Sequence, residues 1–340
     1  MKALVKFAKG YEGVSIRDIP VPKPLDGEVR IAIKACGICG SDIHAINDER
    51  ETAIPVVLGH EFVGIVDECC GDCGNLKVGD WVTGIPAAYN CGKCEFCRRG
   101  EVTLCKTHQS VGVFKNGAMA EYMVMPAKFC FKVPADEPNK LLYAVAEPLG
   151  CTIRGVYERI VVHQGDVAVV SGPGTMGQFV AQALKSRGAY VVMVGIPVDR
   201  ERLALAKNMG VDDIAENYTQ LEKAVYSVNP SGADIVCECT GVAQSLANCL
   251  KIIKIHGTLL QVGLYAGEIN VNFNTIFEKE ITVTATNSTA LSTWKITMDM
   301  LEKHKINVAP FVSMKLSLKD WEKGFEIARN KTAFKVLLLP

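Results

Sequence analysis

The chain predicts an α/β protein of two lobes, an irregular mostly-β lobe followed by a doubly wound parallel sheet. Three observations predict it: the length, a change of texture near residue 150, and one glycine-rich turn in a strand-to-helix setting. With 340 residues, the chain exceeds what a single hydrophobic core usually organises, so two domains are expected. Residues 1–150 carry short β-type runs at 29–34, 63–68 and 122–124, set among glycines and prolines, a pattern of strands and turns with few long helices. From 151 onward, strand-like runs alternate with amphipathic helices, which is the signature of a parallel sheet covered on both faces.

In the second lobe, residues 167–171 read as a strand. Met176, Phe179, Val180, Ala183 and Leu184 then recur at helical spacing as one apolar face. A strand at 190–194, a helix at 199–208 stopped by Gly210, and strands at 234–239, 258–262 and 281–285 continue the alternation. After 286 come helices at 294–303 and 318–329 and a last strand at 335–339, a tail expected to return to the first lobe.

Composition excludes several classes. Apolar residues make up 49% and charged residues 22%, the mixture of a packed globular chain and not of a disordered one. With 37 basic and 37 acidic side chains the net charge is zero, so neither nucleic acid nor an anionic membrane is expected as a partner, and a small molecule is. Lysines interrupt the first ten residues, which argues against a signal peptide, and no apolar run approaches the roughly 20 residues that span a bilayer. Fourteen cysteines without an export signal read as thiols and metal ligands, and point to a reducing cytoplasm.

Four of those cysteines, Cys91, Cys94, Cys97 and Cys105, have a C-x2-C-x2-C-x7-C spacing. Two intervening residues let successive thiolates converge on one ion, and four sulfurs leave Zn²⁺ no open position, so the site would be structural. All-cysteine spacings overlap with those of iron–sulfur clusters, but nothing else in the chain calls for cluster chemistry. Further metal-competent groups lie in three separated segments: Cys39 in Cys-Gly-Ile-Cys-Gly-Ser-Asp, His60 and Glu61 in Gly-His-Glu, and Glu147 in Ala-Glu-Pro. Each is weak alone, and together with the four-cysteine segment between them they are specific.

Gly172-Pro-Gly-Thr-Met-Gly177 follows a predicted strand and opens a predicted helix, the context in which G-x-G-x-x-G binds a dinucleotide. Gly172 would permit the tight turn, Gly174 the approach of the pyrophosphate, and Gly177 the packing of helix on strand. Thr175 and Met176 would line the helix N-terminus that faces the phosphates. The carboxylate that usually ends the second strand in NAD-binding folds is missing, since Val194-Gly195-Ile196-Pro197 occupies that corner. Arg200 or Arg202 could then receive a 2′-phosphate, or Asp199 could reach the ribose, which leaves NAD and NADP open.

In this order of motifs the whole chain resembles the zinc-containing medium-chain dehydrogenases, and in particular their sorbitol and threonine dehydrogenase branch. The resemblance implies a Rossmann domain plus a GroES-like catalytic domain. The catalytic domain would occupy 1–150, with a zinc lobe at about 88–108. The dinucleotide domain would occupy 151–285, and 286–340 would return to the catalytic domain. It also implies two zinc ions per chain. Cys39, His60 and the glutamate of Glu147-Pro148 would hold the catalytic ion, with Glu61 a ligand or its neighbour. Asp42 would orient His60, Ser41 would pass on the substrate proton, and His44 would complete the relay. The reaction implied is hydride transfer from a secondary alcohol to NAD(P)⁺, giving the ketone. The alcohol would be a polyol, a sugar alcohol or its phosphate, with a threonine-type amino alcohol dehydrogenase or a zinc-free quinone or enoyl reductase of the same fold as alternatives. The family further implies a homodimer or homotetramer. Segment 286–293 lacks the arginine by which sorbitol dehydrogenases hold polyol hydroxyls, which counts against sorbitol itself. Cys69, Cys70 and Cys73 stand where relatives have other residues, and receive no role.

Overall fold

The computed structural model describes all 340 residues. The chain divides into two compact units. The first comprises Met1–Pro148, Thr289–His304 and Val308–Pro340, and the second Leu149–Ser288 and Lys305–Asn307.

The first unit is built on a seven-stranded sheet. Its order is Cys130–Lys132, Trp81–Gly84, Glu61–Cys70, Glu28–Gly37, Lys335–Leu339 and Val312–Ser317, and Tyr122–Pro126 also pairs with Glu28–Gly37. All pairs are antiparallel except the last two strands in that order, which run parallel. The strand Lys335–Leu339, from the far end of the chain, therefore adds to a sheet made by the first 132 residues. Its apolar composition explains why: Val336, Leu337 and Leu338 are wholly buried, and such a strand is stable only with both faces covered. Three consequences of the register bear on function. Gly37 lies opposite both Glu61 and Leu337. The strand Glu28–Gly37 ends just before Cys39. His60 immediately precedes the strand that starts at Glu61.

The second unit holds a six-stranded, wholly parallel sheet. Its order is Asp213–Ala215, Tyr190–Val194, Val167–Ser171, Ala233–Glu238, Ile253–Gln261 and Thr282–Ala285. In chain order this is 3-2-1-4-5-6, the doubly wound arrangement whose ligand crevice opens between strands 1 and 4, beyond their carboxyl ends. The core is formed by Val169, Val192, Val236, Leu250 and Leu259 with the inner faces of helices Tyr218–Val228 and Ala243–Ile252. Helix Thr175–Ser186 buries Phe179, Val180, Ala183 and Leu184, as its periodicity predicts, while Met176 stays half exposed. The expected helix at 199–208 is a short 3₁₀ turn, Pro197–Asp199, running into the α-helix Arg200–Asn208, because Pro197 fixes the chain at the turn's first position.

Candidate active site and dinucleotide site

Cys39, His60 and Glu61 converge in the first unit, with one ligand atom from each lying within 4.8 Å of the others. Local backbone chemistry places each of them. Cys39 is the N-cap of helix Gly40–Ile46, and its N–H donates to Asp42 Oδ2 at 2.9 Å, a capping arrangement that satisfies an otherwise orphaned donor. His60 follows Gly59, whose φ of +90° suits glycine, and any Cβ there would stand 2.6 Å from Cys36 Sγ. Glu61 faces Gly37, where a Cβ would lie 2.3 Å from Glu61 Oε2. Gly37 leaves room for the carboxylate, and Gly59 allows the close approach of Cys36 and Met119.

Asp42 serves two of these residues. Its Oδ1 is 3.5 Å from His60 Nδ1 while its Oδ2 holds the Cys39 backbone. Burial works against a charged imidazole, but Asp42 and then Cys39 outweigh it and hold the His60 pKa well above the ordinary value. His60 Nε2 is 3.5 Å from Ser41 Oγ. His44, one turn beyond Ser41, is half exposed and pairs through Nδ1 with Glu49 Oε2 at 2.5 Å. Glu147 is buried in the first turn of helix Ala146–Arg154, and it stands outside the set of three mutually close ligand atoms.

A fourth charged residue enters from the C-terminal strand. Lys335 Nζ lies 2.8 Å from both Glu61 oxygens, donating to Oε1, and 3.2 Å from Ile38 O. Burial disfavours its ammonium, yet Glu61, Cys39 and Glu147 together raise its pKa above the usual value. Sequence reasoning missed Lys335. The available signal was a single lysine opening the otherwise apolar strand Lys-Val-Leu-Leu-Leu.

The donor set fits a metal ion. His60 and Glu61 are buried beside the half-buried Cys39, and a thiol, an imidazole and a carboxylate gathered within 4.8 Å are the N/S/O mixture that Zn²⁺ accepts. An incomplete protein ligand set leaves a coordination position for substrate or water.

Cys91, Cys94, Cys97 and Cys105 form a second convergent set. Backbone donors hold Cys91 and Cys105 toward the thiolate, whereas at Cys94 the Cys97 N–H is outweighed by burial and the neighbouring sulfurs, which push the thiol up to about 11. Cys94 N–H reaches Cys91 Sγ at 3.3 Å, Cys91 N–H reaches Cys105 Sγ at 3.5 Å, and Asn90 Nδ2 reaches Cys97 Sγ at 3.1 Å. Hydrogen bonds from the Cys91 backbone and from Thr107 bring Cys105 down to about 6. Four such sulfurs fit a closed tetrahedral site. Cys69, Cys73 and Cys130 are a different matter. Cys73 Sγ donates to Glu28 O at 3.3 Å, burial pushes the Cys69 and Cys130 thiols up, and the three do not form a convergent ligand set.

In the second unit, Gly172 has φ +103°, and a Cβ there would be 2.7 Å from Thr240 Cγ2. Gly174 caps helix Thr175–Ser186 and faces open space, whereas a Cβ on Gly177 would be 1.9 Å from Gly172 O. The turn thus has one glycine for conformation, one open to a ligand and one for close packing. Thr175 and Met176 form the first turn of the helix. At the corner after strand Tyr190–Val194, the 3₁₀ turn folds Asp199 back so that its Oδ2 accepts from Ile196 N–H at 3.2 Å. A Cβ on Gly195 would touch both Asp199 Oδ2 and Pro173, at 3.1 and 3.0 Å, so the carboxylate stands beside the glycine turn. Arg200 is engaged elsewhere, in a bidentate pair with Glu216 at 2.9 Å. The Arg202 carbonyl accepts from Gln178 Nε2 at 2.9 Å.

Comparison with known proteins agrees with this arrangement. Residues 25–135 match the alcohol dehydrogenase GroES-like domain and residues 175–303 the zinc-binding dehydrogenase domain. A sorbitol dehydrogenase of Halalkalibacterium halodurans is 34% identical, over 100% of this chain and 99% of its own length. The chain belongs to the zinc-binding alcohol dehydrogenase family. Within that family, a D-arabitol-phosphate dehydrogenase of Enterococcus avium is 33% identical over 99% of this chain and 97% of its own. The crystal structure of galactitol-1-phosphate dehydrogenase from Escherichia coli superposes with a TM-score of 0.88 at 27% identity and covers 100% of both chains.

Proposed function

We propose that the protein is a zinc-dependent polyol dehydrogenase that oxidises a secondary alcohol, either a sugar alcohol or its phosphate, to the ketone with reduction of NAD(P)⁺. The observation that carries this reading is the convergence of Cys39, His60 and Glu61 in a chain that also has an open glycine turn on a parallel sheet. The first unit would carry the catalytic site, and the second would hold the dinucleotide, whose nicotinamide accepts the hydride.

Cys39 and His60 would hold the catalytic zinc, with Glu61 beside it and Glu147 available from the next layer. When bound, zinc supplies Lewis-acid polarisation of the substrate hydroxyl. The protein's own contribution is orientation and proton transfer. Asp42, 3.5 Å from His60 Nδ1, would orient the ring, leave Nε2 for the site and raise the ring's basicity as a ligand. Lys335 balances the charge of Glu61. Ser41 and His44, three residues apart on helix Gly40–Ile46, lie on one helix face. They would pass the hydroxyl proton outward, with Glu49 accepting the His44 Nδ1 hydrogen bond. Cys91, Cys94, Cys97 and Cys105 would hold a second, structural zinc.

For the cofactor, the Asp199 carboxylate beside the glycine turn and the neutralisation of Arg200 by Glu216 favour NAD over NADP. A 2′-phosphate would meet a like charge there, whereas ribose hydroxyls would meet an acceptor. Homodimerisation is supported by the open edge strand Thr282–Ala285, whose Val283 is 49% exposed, and by Phe277 of the preceding helix, 83% exposed.

The test is a turnover screen of zinc-loaded protein over polyols, polyol phosphates, threonine-like amino alcohols and simple secondary alcohols, each with NAD⁺ and NADP⁺. Ketone formation is expected, fastest with a polyol or its phosphate and with NAD⁺. Turnover confined to quinones or enoyl substrates would overturn the reading.

A further inference from the structure

Glu238 is a completely buried carboxylate in the second unit, and the chemistry proposed above does not use it. It ends strand Ala233–Glu238, the fourth strand of the sheet, at the crevice where the strand order reverses. Its side chain binds only donors. Oε1 accepts from Thr240 N at 2.9 Å, from the Thr240 hydroxyl and from Ser245 Oγ at 2.8 Å. Oε2 accepts from Gly241 N at 3.1 Å, Tyr265 Oη at 3.3 Å and Gln261 Nε2 at 3.4 Å. Its backbone carbonyl takes the N–H groups of Val262 and Gly263 at 2.9 and 2.8 Å.

These bonds tie three strand ends together. Ser245 links onward to Ser171, the last residue of the first strand, at 2.7 Å. The loop at 239–242 and the loop at 262–265 are clamped against each other through glycines: a Cβ on Gly241 would lie 2.2 Å from Leu264 O, and one on Gly263 would lie 2.4 Å from Gly241 N. The first loop also abuts the dinucleotide turn, since Thr240 Cγ2 occupies the space a Cβ on Gly172 would need.

The two sides of the crevice have different roles. Asp199 and the glycine turn belong to strands 1 and 2, the half that takes the adenosine. The loops held by Glu238 crown strands 4 and 5, the half left for the nicotinamide nucleotide.

We infer that Glu238 is a positioning residue for the nicotinamide half of the dinucleotide, holding the loops at 239–242 and 262–265 in the shape that receives it. The inference rests on the dinucleotide-binding reading of the glycine turn. A carboxylate is required because every partner is a donor. A carboxamide of the same volume would turn an NH₂ toward several of them and release one loop.

The experiment compares wild type, Glu238→Gln and Ser245→Ala by titration with NADH and with AMP, at a temperature well below unfolding. Glu238→Gln is expected to weaken NADH by about tenfold or more, the equivalent of one or two lost buried hydrogen bonds, while AMP, which occupies only the other half, keeps its affinity. In steady state, KM for the cofactor rises and KM for the alcohol does not. Ser245→Ala removes one of the bonds and should show the same asymmetry at smaller size, which keeps the test informative if Glu238→Gln fails to fold. Equal weakening of NADH and AMP would mean a general structural role and overturn the inference, as would unchanged NADH affinity. A wild type that binds neither AMP nor either reduced nicotinamide dinucleotide would instead remove the dinucleotide reading beneath it.

Discussion

Lys335 reaches Glu61 across an intervening strand, and it can do so because Gly37 between them has no side chain. A buried ion pair contributes little net stability when intact, but breaking it strands a charge. Lys335→Met should therefore destabilise the metal-free protein by about 3–5 kcal/mol, measured by urea unfolding; an unchanged midpoint would show that Glu61 does not depend on Lys335. Cys39→Ser should leave the fold intact, lower bound zinc by one equivalent per chain and reduce turnover to background, and full activity in that variant would exclude the catalytic assignment. A second buried lysine, Lys6, pairs with Asp48 at 2.6 Å. Lys6, followed by the Gly10 N–H, holds the Asp48 pKa below its usual value. A depressed folded-state pKa contributes stability above the unfolded carboxylate value, near 4, and that contribution is lost as pH falls through the folded value. Asp48→Asn should be less stable than wild type at neutral pH, and the difference should shrink on acidification. The candidate ligand types at 39, 60 and 61, which the fold brings together, were readable because metal chemistry restricts such sites to a few side chains. Lys335 was not, because a lone lysine has no spacing to reveal its partner.

At the scale of elements, helix ends show how side chains complete what the backbone leaves open. Helix Ala243–Ile252 ends with carbonyls that lack intrahelical partners, and Lys279, from farther along the chain, donates to Leu250 O, Lys251 O and Ile253 O at 2.7–2.9 Å. A cation at a helix C-terminus also complements the helix dipole. Lys279→Met should cost about 1–2 kcal/mol and speed amide exchange in the last turn of that helix more than elsewhere. Strands and helices with strong periodicity were legible. The strand Lys335–Leu339 and the buried face of Thr175–Ser186 stand where the sequence places them. Others were not: Asp213–Ala215 carries too few residues to establish a period, and Val312–Ser317 lies between the helices expected at 294–303 and 318–329, where no strand is expected. The turn Pro197–Asp199 matters most here, since one 3₁₀ turn returns Asp199 to the corner whose own strand-end carboxylate is missing.

For the molecule as a whole, the four-thiolate lobe is the clearest separable source of stability. It contains no wide hydrophobic core of its own: Val102 and Cys105 are its buried residues between 91 and 105. A metal there would supply folding free energy directly. Cys94→Ser should lose one zinc per chain and unfold at a lower temperature while retaining a weakened activity, a pattern opposite to that of Cys39→Ser. If the two variants lost the same ion, the division into a closed and an open site would fail. The sequence by itself determined the α/β class, the glycine turn and the four-cysteine site, because each depends on residues close together in the chain, where spacing is geometry. Tertiary structure decided the rest. It set Glu147 apart from the convergent set of Cys39, His60 and Glu61, engaged Arg200 with Glu216, brought Lys335 to Glu61 and gathered two loops onto Glu238. The longest of these, Lys335 with Glu61, joins residues 274 positions apart, and only the register of folded strands fixes which residues so distant meet.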